Sequence, residues 1–85
     1  MAHYLLYSTV GCHLCEEAEA LLSAWFPHPD RALEVRDIAG DDALVERYGV
    51  RIPVLQRVAD GAELGWPFDA DAVAAWLGAP AHAAG

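Results

Sequence analysis

The stretch YSTVGCHLCEEAEALL, from Tyr7 to Leu22, contains both cysteines of the chain, Cys12 and Cys15. Just before it, HYLLY at 3–7 is a short apolar and aromatic run of strand length. Beyond the first cysteine, apolar residues recur at the spacing of one helix face: Leu14, Ala18, Leu21, Leu22 and Trp25. The sequence therefore predicts a strand, a tight turn and a helix, with the Cys-x-x-Cys pair at the start of the helix.

The rest of the chain continues this alternation of strands and helices. The predicted elements are a strand at Leu33–Asp37, a short helix capped by Asp41 or Asp42, strands at 54–58 and 62–64 around Asp60–Gly61, and a helix from Asp69 that buries Val73, Trp76 and Leu77. A strand, a crossover helix and a second strand imply a parallel pair, whereas the late hairpin must be antiparallel. The predicted fold is α/β, in the order β-α-β-α-β-β-α, with a mixed four-stranded sheet flanked by three helices.

Composition narrows the class of protein. The chain has 85 residues and is 55% apolar, which predicts one packed domain, placed at 1–78, with a frayed tail at 79–85. The formal net charge is −8 and there is no lysine, so nucleic acids and anionic membranes are poor partners. No apolar run is long enough to span a bilayer, and no signal peptide is recognisable. We expect a cytoplasmic monomer.

The position of the cysteines predicts different properties for the two thiols. Cys12 at a helix N-terminus faces unpaired N–H groups, which stabilise a thiolate. His13 would favour that thiolate if its imidazolium lies nearby, whereas Glu16 and Glu17 oppose it. One turn later, Cys15 lies beside the apolar face and should be the more buried sulfur. An exposed nucleophile and a sheltered second thiol are what thiol–disulfide exchange requires.

Two other interpretations of the cysteines stay open. As small core residues, they would fit the position of Cys15 but not the exposed helix start at Cys12. A zinc site needs about four ligands, and His3, His28 and His82 show no ligand spacing. Redox chemistry is favoured and no metal is expected. The alternatives are an adaptor that binds a metal or an iron–sulfur cluster through the two thiolates, and an inactive binding module.

Three segments resemble glutaredoxins and other thioredoxin-fold oxidoreductases. The opening stretch is similar to their strand–CxxC–helix start, RYGVRIPVLQR at 47–57 to the segment that leads into their third strand, and DGAELGWPFDADAVAAWL at 60–77 to their closing hairpin and helix. The resemblance runs from Tyr4 to Leu77, nearly the whole chain. It implies a thioredoxin/glutaredoxin-like fold and a dithiol enzyme that reduces disulfides in cell redox homeostasis.

The resemblance also implies roles for individual residues. Cys12 corresponds to the nucleophile and Cys15 to the resolving thiol, while His13 is a candidate for tuning the thiolate on the charge argument given above. Pro53 corresponds to a cis proline beside the active site, where the backbone of Ile52 pairs with an extended substrate. The substrate is a disulfide-containing protein or a small thiol, and the reductant is not identified.

The sequence departs from the family pattern where glutathione would bind. Thr9 and Val10 stand where glutaredoxins commonly carry a lysine or arginine, and the stretch 65–69 is bulky where they have a Gly-Gly step. Glutathione therefore remains only a candidate co-substrate, and no tightly bound cofactor is expected. The candidate substrate-binding residues are Thr9, Arg51 as a carboxylate partner, Ile52, Pro53, Trp66 and Asp69. Asp69 is equally suited to cap the last helix, and Trp66 and Phe68 either form an apolar surface near the cysteines or are buried.

Overall fold

The computed structural model describes residues 2–26 and 28–78. Its elements are β1 (Ala2–Ser8), α1 (His13–Leu22), β2 (Arg31–Asp37), α2 (Asp42–Tyr48), β3 (Val54–Arg57), β4 (Glu63–Gly65) and α3 (Ala70–Gly78). This is the predicted order, and most boundaries shift by one or two residues. The exception is α1, which ends at Leu22 although the predicted helix face included Trp25. The predicted tail at 79–85 lies outside the described residues.

The four strands form one mixed sheet in the order β2-β1-β3-β4. β1 and β2 are parallel, and Ser8 at the end of β1 lies opposite Asp37 at the end of β2. β3 runs antiparallel to both β1 and β4. The parallel pair and the late hairpin are therefore confirmed. The carboxyl ends of the two parallel strands meet at the edge of the sheet where α1 begins.

Alternate residues of β1 face two different core clusters. Tyr4 and Leu6 pack with α1 and α3 in a cluster that includes Ala18, Leu22 and Val73. On the opposite face, Leu5 and Tyr7 pack with a cluster that includes Tyr48 of α2. Because side chains alternate along a strand, α1 and α3 cover one face of the sheet and α2 covers the other.

One predicted core residue of α1 is exposed. The buried residues of this helix are Cys15, Ala18 and Leu22, whereas Leu14 is 46% exposed. Leu14 lies in the first turn, to one side of the buried stripe. The helical spacing correctly predicted the stripe, but it could not show that the side of the first turn carrying Leu14 is exposed.

A buried arginine joins the hairpin to the last helix. Arg57 is only 5% exposed and donates hydrogen bonds to Asp60 (3.2 Å) and to the backbone carbonyl of Trp76 (2.8 Å). Its guanidinium also lies 4.8 Å from the centre of the Trp76 ring. Trp25, which follows the end of α1, and Trp76 of α3 both pack against the core, as predicted. Within the described ranges, no helix has the length and apolar character needed to cross a membrane.

Candidate active site

Cys12 and Cys15 form a disulfide at the N-terminus of α1. Cys12 is the N-cap residue, and its Sγ accepts a hydrogen bond from the backbone N–H of Cys15 at 3.2 Å. The turn from β1 into the helix is closed by a hydrogen bond from the Cys12 N–H to the Thr9 carbonyl. Gly11 makes this turn possible because its φ of 80° is in the left-handed region, which glycine adopts without strain.

The two sulfurs have different surroundings. Cys15 is 1% exposed and lies on the buried face of α1, whereas Cys12 is partly exposed at the surface. This is the difference in burial that the sequence predicts. A reagent in solution therefore reaches Cys12 more readily than Cys15.

Within the described residues, His13 makes no hydrogen bond or ion pair with Cys12 or Cys15. Its imidazole is 85% exposed, and Nε2 lies 3.5 Å from Oε2 of Glu17, one turn further along the helix. The pairing with Glu17 places His13 on the solvent face of α1.

A pocket of about 330 Å³ opens beside the disulfide. It lies between the first turns of α1 and the carboxyl ends of β1 and β2. The lining residues are Ser8, Thr9, Val10, Gly11, Cys12, Cys15, Glu16, Glu19, Val35 and Asp37. Thr9 is the one candidate substrate-binding residue of the sequence that lines this pocket.

The peptide bond between Ile52 and Pro53 is cis in the structure. The N–H of Ile52 donates to the Tyr48 carbonyl at 3.0 Å, so this donor is already used within the chain. The Pro53 carbonyl accepts from the N–H of Trp66 at 3.2 Å. The backbone around Pro53 is thereby tied to the end of α2 on one side and to the residue after β4 on the other.

Arg51 belongs to a polar cluster around Glu63. Its guanidinium donates to Oε1 of Glu63 at 3.1 Å, while the hydroxyl of Tyr48 donates to Oε2 at 2.5 Å. Gln56 donates more weakly at 3.4 Å, and Arg47 lies 3.9 Å away. The carboxylate that pairs with Arg51 in the structure is therefore that of Glu63 in the same chain.

The cluster shifts the pKa values of its members. Burial by itself raises the pKa of Glu63, but hydrogen bonds from Tyr48 and Arg51 and the charges of Arg51 and Arg47 outweigh it and hold the pKa below its usual range. Burial, followed by the hydrogen bond to the Glu63 carboxylate, raises the pKa of Tyr48 well above its usual value. Glu63 is therefore a carboxylate and Tyr48 a neutral phenol.

The remaining candidates lie at the start of α3. Oδ1 of Asp69 accepts from the N–H of Ala72 at 2.8 Å, which is the geometry of a helix N-cap. Phe68 is 6% exposed, and Trp66 packs against the same core cluster with its ring 5.0 Å from that of Phe68. Phe68 is therefore buried, whereas Trp66 is only partly buried.

Among the described residues, the two cysteine sulfurs do not belong to a larger set of metal ligands. No group of three or more His, Cys, Asp or Glu side chains in 2–26 and 28–78 is arranged to hold a metal ion. His82, one of the histidines considered as a ligand, lies outside these ranges.

Comparison with known proteins identifies the family. The family model described as Glutaredoxin-like domain (DUF836) matches residues 3–78. This chain belongs to the glutaredoxin-like family. Its mixed four-stranded sheet with three helices is the thioredoxin-like fold that the resemblance implied.

Three solved structures resemble this glutaredoxin-like domain. The X-ray structure of XcR50 from X. campestris is 41% identical, with a TM-score of 0.79 over 91% of this chain and 99% of that chain. The solution structure of XcR50 is 42% identical, with a TM-score of 0.77 over 94% and 97%. Ne2328 from Nitrosomonas europaea is 36% identical, with a TM-score of 0.70 over 88% and 89%. A comparison with curated proteins finds no significant match.

The acidic side of the pocket in this glutaredoxin-like domain was not predicted from the sequence. Glu19, Val35 and Asp37 line the pocket together with Ser8, although α1, β1 and β2 are separate in sequence. One signal was available, since the carboxyl ends of neighbouring parallel strands are a common place for ligands in open α/β sheets. Asp37 occupies such an end.

Proposed function

We propose that this glutaredoxin-like domain is a dithiol thiol–disulfide oxidoreductase in which Cys12 is the nucleophile and Cys15 the resolving thiol. One observation carries the proposal: the two cysteines are disulfide-bonded at a helix N-terminus, with Cys12 accessible and Cys15 1% exposed. A purely structural disulfide would need no such difference in access.

The reaction begins with the reduced protein. The Cys12 thiolate attacks one sulfur of a substrate disulfide, forms a mixed disulfide and releases the other half of the substrate as a thiolate. Cys15 then loses its proton to solvent and attacks Sγ of Cys12. The Cys12–Cys15 disulfide forms and the second half of the substrate leaves as a thiolate. Two electrons pass from the dithiol to the substrate, and the released thiolates take up protons from solvent.

Geometry on the protein side supports both steps. The N–H of Cys15, which donates to Sγ of Cys12, faces the atom that carries negative charge before attack. The i, i+3 spacing on a helix keeps Cys15 beside Cys12 throughout. A thiol reductant must then reverse the two steps and restore the dithiol, and glutathione is one candidate.

Two serine substitutions test the assignment. Cys12→Ser should abolish reduction of a small disulfide, because no nucleophile remains in reach of solvent. Cys15→Ser should still react once and stop as a mixed disulfide, detected by intact mass and removed by dithiothreitol. Each variant is the control for the other, since both lack the internal disulfide. Turnover by Cys12→Ser at the wild-type rate would overturn the proposal.

A further inference from the structure

The pocket beside the disulfide is lined by acidic side chains and by no basic one. Glu16, Glu19 and Asp37 contribute its charged side chains, and no arginine or histidine lines it. The ion pairs of the described residues involve other acidic side chains. Asp37 accepts only from a backbone N–H, that of Ala39 at 2.9 Å. The charge of this pocket is therefore not balanced within the described part of the chain.

The strand register places Ser8, Val35 and Asp37, which line the pocket, on one face of the sheet. Leu6 pairs with Val35 and Ser8 with Asp37 in the parallel ladder between β1 and β2. Leu6 packs against α1, so these neighbours lie on the α1 face of the sheet as well. Val35 is 46% exposed because α1 does not cover this edge strand. The pocket is the uncovered space between the edge strand and the helix that carries the cysteines.

Ser8 provides a second, independent indication of a ligand. It is 5% exposed and lines the pocket, yet its hydroxyl takes part in no side-chain hydrogen bond with the residues described. Every fully enclosed polar side-chain atom of the described residues has a partner, so the Ser8 hydroxyl must open onto the pocket. A hydroxyl accepts from an ammonium group as readily as it donates to a carbonyl.

We propose that Cys12 reacts preferentially with disulfides that carry an ammonium or guanidinium group close to the sulfur, as in a basic peptide segment around a half-cystine. This inference rests on the proposed oxidoreductase function and specifies its substrate. The cation lies among Glu16, Glu19 and Asp37, the Ser8 hydroxyl accepts one of its N–H groups, and Val35 contacts the aliphatic part. Disulfides with carboxylates at that position are repelled.

Three small disulfides of equal spacer length test the preference. They are cystamine, which has two ammonium groups, bis(2-hydroxyethyl) disulfide, which is neutral, and 3,3′-dithiodipropionate, which has two carboxylates. Rate constants of the reduced protein are measured by quenched flow with alkylation. Each is divided by the rate constant of dithiothreitol with the same disulfide, which removes differences between the leaving thiols. A contact between unit charges in water changes a rate about fivefold, so attraction and repulsion together predict a ratio of cationic to anionic disulfide of about 25.

Glutamine and asparagine variants locate the source of the preference. Glu16→Gln should lower the normalised ratio about fivefold, and the triple variant with Glu19→Gln and Asp37→Asn should bring it to within about threefold of one. Glu46→Gln is the matched control, because it removes the same charge from an exposed residue of α2 outside the pocket. It should leave the ratio unchanged. Using a ratio cancels any effect of these carboxylates on the reactivity of Cys12 itself.

A second set of substrates distinguishes polypeptides from small amines as the molecules that carry the cation. Symmetric disulfides of two short peptides, with lysine or with glutamate beside cysteine, are compared in the same way. A preference shown by the peptides alone points to polypeptide substrates, and one shown by the small disulfides alone points to small amines. Both results support the proposal.

The outcomes separate this inference from the proposed function. Reduction of the three small disulfides and of both peptide disulfides with normalised ratios near one, or ratios that the triple variant and Glu46→Gln lower equally, would overturn the substrate class and leave the oxidoreductase in place. Failure to reduce even the neutral disulfide would overturn both.

Discussion

Glu63 accepts hydrogen bonds from the side chains of Tyr48, Arg51 and Gln56, and replacing it with glutamine tests how much these bonds stabilise the fold. Its side chain is 18% exposed, and the bond from Tyr48 is a short charge-assisted one at 2.5 Å. Such a bond contributes about 1.5–3 kcal/mol, and glutamine retains a carbonyl that can accept in its place, so roughly half is lost. The bond from Arg51, whose side chain is 48% exposed, adds at most about 1 kcal/mol.

We expect Glu63→Gln to lower the free energy of unfolding by about 2 kcal/mol, which lowers Tm by about 8–16 °C in a domain of this size. The assay is urea or thermal unfolding followed by circular dichroism on the oxidised protein. Glu46→Gln, an exposed substitution on α2, is the control and should change stability by less than about 0.5 kcal/mol.

The pH dependence provides an independent check of the mechanism. The pKa of Glu63 is lower in the folded protein than in the unfolded chain. The stabilisation is therefore fully present above the unfolded value of about 4.3 and is lost as the pH falls through the folded value. The stability gap between wild type and Glu63→Gln should stay constant from about pH 7 to about pH 5 and close below about pH 4. A gap no larger than that of the control, or one that persists unchanged in acid, would refute this account of the cluster.

Substitutions at three other residues give further expected outcomes. Asp69→Ala should lower the free energy of unfolding by about 1 kcal/mol, because the N-cap of α3 is lost. Asp69→Asn keeps the cap and should leave both stability and disulfide reduction unchanged. Slower reduction by the asparagine variant would indicate that Asp69 contacts the substrate. Gly11→Ala should cost about 1–2 kcal/mol in unfolding experiments, because φ is 80° and the new Cβ meets no atom, so only backbone strain contributes. His13→Gln should change the rate of Cys12 alkylation in the reduced protein by less than about twofold between about pH 6 and pH 8, since its exposed pair with Glu17 is weak. A larger change would assign His13 a role in tuning the thiolate.

Local patterns predicted the framework of the site because the signals are contained in short stretches. The strand before Cys12, the helical stripe after it and the turn at Asp60–Gly61 each follow from the spacing of a few residues. The greater burial of Cys15 also follows from its position on the helix face. Leu14 shows the limit of such a pattern, because helical spacing cannot reveal how wide a stripe of the helix the other elements cover.

The electrostatic features could not be predicted because they depend on how separate elements meet. The sequence predicts that Arg51 pairs with a substrate carboxylate, but the β3–β4 hairpin brings Glu63 to it. Asp37 and Glu19 share a pocket only because β2 pairs beside β1 and α1 lies across their ends. Charges at such junctions have no periodic signature along the chain.

The equilibrium reduction potential of the Cys12–Cys15 pair is the most direct test of the proposed chemistry. The oxidised protein is incubated in glutathione or dithiothreitol redox buffers, quenched with an alkylating agent and analysed by intact mass, with Cys15→Ser as the control that cannot form the internal disulfide. A disulfide reductase should show one reversible two-electron transition between roughly −270 and −200 mV, the range of thioredoxin and glutaredoxins. A potential near about −120 mV would instead indicate an oxidant. Failure of the pair to interconvert reversibly, or stoichiometric zinc or iron on protein purified without chelator, would contradict the account.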